Sequence, residues 1–101
     1  MGLPEKAELL MFKAVIIYAI ISPIGGEPEK IYFNATSFPS HVECTGFYYT
    51  YESNIKTGIL EHATKKYNSD AAEIHEIGCL QKTLDHLYEE TLSNERPLFK
   101  K

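Results

Sequence analysis

Eight consecutive uncharged residues, Ala14-Val15-Ile16-Ile17-Tyr18-Ala19-Ile20-Ile21, constrain this chain more than any other stretch. A run this apolar is either removed from the protein or buried inside it. Lys13 precedes it and Ser22-Pro23-Ile24-Gly25-Gly26 follows it. A basic start, a short greasy stretch, a helix breaker and small residues are the parts of a secretory signal, and Gly26 supplies the small residue before a cut. The run is too short to cross a bilayer, which takes about 20 apolar residues. A start at Met11 gives a cleaner signal than Met1, because the leader from Met1 to Leu10 carries Glu5 and Glu8. The competing reading is a buried first β-strand, since Val, Ile and Tyr suit a pleated surface and Pro23 to Gly26 suit a turn.

Two features elsewhere favour the signal. Asn34-Ala35-Thr36 is an N-glycosylation acceptor, and the cysteine count is even. The expected organisation is a signal peptide over residues 1–26 and one small secreted domain over residues 27–101, with no stable membrane insertion after cleavage. A signal-anchored membrane protein that keeps residues 9–24 is the alternative.

The mature part would have about 75 residues, a size that buries a modest core and often needs a covalent staple. The net charge is −4. Glu5, Lys6, Glu8 and Lys13 cancel, so the whole deficit lies beyond residue 26. An acidic surface with a single arginine, Arg96, is a poor platform for phosphate backbones, and no strong nucleic-acid binding is expected. Seven tyrosines and five phenylalanines supply core and interface surface.

Ile31-Tyr32-Phe33 reads as a short strand, broken at Phe38-Pro39-Ser40. His41 to Tyr51 reads as a second strand around Cys44, because Phe47-Tyr48-Tyr49-Thr50-Tyr51 is rich in β-formers. Ser53 then caps a helix in which Ile55, Ile59, Leu60, Ala63 and Tyr67 recur at helical spacing. Lys65 and Lys66 fall in its last turn, where the helix dipole favours positive charge. Asn68-Ser69-Asp70 ends it. From Ala71 to Leu92 a second helix is predicted, on the stripe Ile74, Ile77, Leu80, Leu84, Leu87 and Thr91. Leu98-Phe99 forms an apolar pair with no element after it. The expected fold is a small disulfide-stapled α+β domain, with short N-terminal strands followed by two helices.

Cys44 and Cys79 are the only cysteines, and in a secreted chain they pair. The loop they close is worth about 4 kcal/mol in the chain-entropy model. His75 and Cys79 are four apart, a spacing that can ligate zinc on a helix, with His86 nearby. No fourth ligand completes a pattern, so a disulfide flanked by solvated histidines is expected, with no metal and no cofactor. His41 and Glu43, on one side of the expected strand, are the weak candidates for acid–base catalysis. Glu89-Glu90 reads as a solvated helix face. No motif for a serine nucleophile, a zinc protease or a phosphate loop is present, so the chain is not expected to be an enzyme.

The stretch His41-Val42-Glu43-Cys44-Thr45-Gly46, with Ser53-Asn54-Ile55-Lys56-Thr57-Gly58-Ile59-Leu60-Glu61-His62-Ala63 after it, resembles the secreted RNase-like effectors of powdery-mildew fungi. In that family a signal peptide precedes an aromatic-x-Cys motif on a strand, and a capped helix with an Ile/Val and Ala face comes next. The resemblance implies a fold like that of fungal guanyl-specific ribonucleases and a non-catalytic binding role in host cells. The disulfide cysteine carries over to Cys44, with His41 or Val42 at the aromatic position. Beyond Tyr67 the family continues into an antiparallel sheet, whereas a second helix is expected here, and Arg96-Pro97-Leu98-Phe99 marks where such a sheet would begin.

The functional expectation is a secreted, non-enzymatic interaction protein, in the manner of a fungal effector, that holds a protein partner through Phe47, Tyr48, Tyr49 and Tyr51. Tyrosine offers a rigid amphipathic surface and is enriched at interfaces. Core packing is the competing role for these four. The rival from another class is a degenerate ribonuclease-like hydrolase using His41 and Glu43.

Overall fold

The computed structural model describes residues 12–68, 71–84 and 90–101. In chain order they form strands β1 (Phe12–Pro23) and β2 (Glu29–Phe38), helices α1 (His41–Thr50) and α2 (Glu52–Tyr67), and strands β3 (Ala72–Leu84) and β4 (Glu90–Lys100). The four strands make one antiparallel sheet in the order β2-β1-β3-β4. The expected order, strands first and two helices last, is therefore overturned: both helices lie between two pairs of strands.

Residues 12–23 stand at the centre of that sheet. β1 is hydrogen-bonded to β2 on one side and to β3 on the other. Its odd positions Val15, Ile17, Ala19 and Ile21 face the helices, and Ile16 and Tyr18 pack with Leu80 on the opposite face. A strand buried on both faces has no use for polar alternation, which is why its sequence is a continuous apolar run. Ile24 and Gly25 then form the corner of a tight turn, closed by the Gly26 N–H donating to the Pro23 carbonyl at 2.9 Å. Gly25 sits at φ 80°, the left-handed position that such a turn gives to glycine. A chain cut after Gly26 would lose the strand that joins β2 to β3.

The stretch expected as a second strand is α1. Ser40 and Glu43 form a variant of the capping box: the Glu43 N–H donates to Ser40 Oγ at 3.3 Å, and the Ser40 hydroxyl, rather than its backbone N–H, donates to the Glu43 carboxylate at 3.2 Å. Cys44 and Tyr48, one turn apart, then point into the core and are fully buried. That burial overrides the β-propensity of the aromatic residues.

α2 follows the sequence expectation closely. Ile55, Ile59, Ala63 and Tyr67 face the sheet, while Leu60 stays outside. Ser53 is not its cap; Tyr51 holds that position, without a side-chain hydrogen bond. Asn68 ends the helix in the left-handed conformation (φ 51°).

The second expected helix does not exist over residues 72–84, which are β3, and from Glu90 the chain is β4. The rest of that expectation, including His86, Leu87 and Glu89, lies outside the described residues. Its helical stripe was produced by a strand with an irregularity. Ile20 pairs with Glu76 but Ile21 pairs with Ile74, so His75 is an extra residue, a bulge. The bulge turns the same-face step from Ile74 to Ile77 into three residues. The next step of three, Ile77 to Leu80, crosses from one face of β3 to the other. Leu98 and Phe99, without an element in the sequence reading, pack from β4 against the core, with Lys56 Nζ 4.0 Å from the Phe99 ring.

Candidate functional site

Both cysteines are fully buried and are joined, Cys44 on α1 to Cys79 on β3, with their Cα atoms 6.4 Å apart. The bridge fixes α1 across the middle of the sheet. Glu43, committed to the capping box, lies on a different side of α1 from His41, because residues two apart on a helix do not share a face. The expected pair is thus dissolved. His41 instead turns inward, with both ring nitrogens buried and without hydrogen-bond partners among the described residues. Burial, and secondarily the Arg96 guanidinium, lower its pKa, so the ring is neutral at pH 7.

The helical spacing of His75 and Cys79 disappears in β3. Cys79 is taken by the disulfide, and His75 Nε2 lies 2.7 Å from Ser22 Oγ. Glu90 pairs with Lys82 at 3.0 Å.

The aromatic residues of α1 divide by helical phase. Tyr48 belongs to the core; its hydroxyl donates to Glu52 at 2.9 Å, and burial and that carboxylate push the phenol pKa upward. Phe47, Tyr49 and Tyr51 are 37%, 56% and 49% exposed. Phe47 and Tyr51 are one turn apart with ring centroids 4.9 Å apart, and Phe38 joins them at 5.1 Å from Phe47. A continuous aromatic strip, Phe38–Phe47–Tyr51, thus crosses from the end of β2 onto α1.

Behind Phe47 a cleft of about 310 Å³ opens between the helices and the sheet. Ile17, Phe33, Thr36, Phe47, Ile55, Gly58 and Ile59 line it. Two departures from regular structure border it. One is in β2, where the register jumps from Ile17↔Phe33 to Ile16↔Ser37 and leaves Asn34, Ala35 and Thr36 over, a bulge larger than the ordinary single extra residue. The other is Gly58 in the middle of α2. A Cβ built there meets nothing within 4 Å. Glycine inside a helix costs roughly 0.5–1 kcal/mol relative to alanine, and packing does not require it at this position. The expected glycosylation residue, Asn34, lies exposed on the same bulge, its side-chain oxygen accepting from Lys82 Nζ at 2.9 Å.

Among the cleft residues only Phe47 is a binding candidate from the sequence, where Ile17, Phe33, Ile55 and Ile59 read as strand or helix-face residues. A lone glycine inside the amphipathic pattern of residues 55–67 was the available signal for the rest. Among the described residues no helix is long and apolar enough to cross a membrane. No protein-family model, curated protein or solved structure matches this chain.

Proposed function

We propose that this chain is a non-enzymatic binding domain that works outside the reducing cytosol and holds a protein partner against the aromatic strip Phe38–Phe47–Tyr51 and its neighbour Tyr49. The observation that carries this reading is the exposure of Phe47 and Tyr49 on, and Tyr51 just after, a helix pinned to the sheet by Cys44–Cys79. Rigid aromatic side chains bury large areas at little cost in conformational entropy, and they dominate interface energetics. An acidic chain with one arginine suits a protein partner better than a nucleic acid.

A disulfide in the core and an acceptor asparagine on an exposed bulge support an exported setting. Export of a chain that keeps β1 needs a signal other than residues 12–26. A fungal effector that binds a host protein is one setting for such a domain, although the stretch His41–Gly46, which the resemblance to RNase-like effectors places on a strand, lies on α1.

The test is capture of a partner from host extract by the native chain and by Tyr49→Ala/Tyr51→Ala, with circular dichroism to check the fold. A folded double variant is expected to lose the partner; undiminished capture contradicts the reading.

A second reading, a small ribonuclease-like hydrolase, draws on the influence of Arg96 on His41. Stabilising a pentacovalent phosphate needs positive charge or donors aimed at the developing anion. Arg96 and the ring of His41 would have to supply them without Glu43. Turnover of a guanosine-containing RNA that His41→Ala abolishes would replace the binder with the enzyme.

A further inference from the structure

We propose that the cleft behind Phe47 is a binding site for one small, uncharged apolar molecule, of the size of two or three fused rings. Its lining is five large apolar side chains, Ile17, Phe33, Phe47, Ile55 and Ile59, together with Gly58 and Thr36. No charged group lines it, so a charged ligand would lose its hydration without compensation. Thr36 bears the one hydroxyl in the lining and offers a single polar contact to orient a ligand. The volume, about 310 Å³, falls at the small end of the range of ligand pockets.

The space is built rather than left over. Gly58 keeps α2 bare where any other residue would project a side chain, and alanine would fit without a clash. The three-residue bulge of β2 independently draws Asn34–Thr36 out of register beside the same opening. Two costly irregularities, one in a helix and one in a strand, thus converge on one volume. The disulfide fixes α1, which carries Phe47 at the cleft, to β3. An apolar cleft of this kind gains by exchanging water for an apolar guest.

The experiment is a fluorescence titration of the full chain with 1-aminoanthracene, a neutral three-ring probe, alongside methyl NMR of the native protein. Saturable one-to-one binding is expected, with shifts concentrated at the methyl groups of Ile17, Ile55 and Ile59. Gly58→Leu, which fills the cleft, is expected to weaken binding by about tenfold or more, with an unchanged or higher melting temperature. Absence of saturable binding overturns the proposal, as do methyl shifts located elsewhere, or a folded Gly58→Leu that binds as tightly as the native chain. If Gly58→Leu does not fold, the methyl shifts of the native protein decide the question alone.

Discussion

β1 and β3 pair along almost their whole length with both faces covered, whereas β2, on the other side of β1, parts from it after Ile17↔Phe33 and leaves three residues unmatched. The same contrast holds at the level of single glycines. Gly78, in β3, faces Tyr18 directly across the ladder, and a Cβ there would lie 2.4 Å from the Arg96 carbonyl oxygen and 2.6 Å from the Tyr18 hydroxyl. Gly58, in α2, has empty space where its Cβ would be. The first glycine exists because packing leaves no room, the second although packing leaves room. The centre of the sheet is therefore organised for stability, while the side formed by β2, α1 and α2 gives up regularity to hold a cleft and an aromatic strip.

Three substitutions probe this division. The largest effect is expected from separating the two regions. Cys44→Ala/Cys79→Ala removes the link between α1 and β3, and the loop it closes is worth about 4 kcal/mol. Chemical unfolding should show a marked fall in midpoint; an unchanged midpoint would mean that the regions are held together without the bridge. Gly78→Ala comes next. Its methyl group must displace either β4 backbone or the Tyr18 ring, and the ring is held by a 2.5 Å hydrogen bond from its hydroxyl to buried Glu76. Overpacking of this kind costs about 1–3 kcal/mol, and a fall in stability on that scale is expected in the same assay. The same change at Gly58 should act with the opposite sign. Gly58→Ala is expected to raise stability by about 0.5–1 kcal/mol. Destabilisation at Gly58 would remove the ground for regarding the cleft as a sacrifice of stability.

The elements differ in how legible they were. α2 could be read because Ile55, Ile59, Ala63 and Tyr67 follow one helical face without interruption. β3 could not, because the bulge at His75 and the crossing from Ile77 to Leu80 imitate helical steps. α1 was hidden by its aromatic composition, although the capping box Ser40-His41-Val42-Glu43 was present in the sequence. β1 posed a different difficulty. A basic residue, an apolar run and a Pro-Gly-Gly ending serve a signal peptide and a central strand followed by a turn equally well, since both need an uncharged stretch and then a bend. The disulfide was legible because a chain with two cysteines allows one pairing. The cleft was not, because it brings together β1, β2, α1 and α2 beside a register jump that no local pattern records.

β1 is the middle of the folded protein, and the N-terminal sequence and intact mass of the folded, disulfide-bonded product recovered from a secreting host test this. A product that retains residues 12–23 is expected, because β1 lies between β2 and β3 in the sheet. A folded product that begins near Glu27 would contradict it.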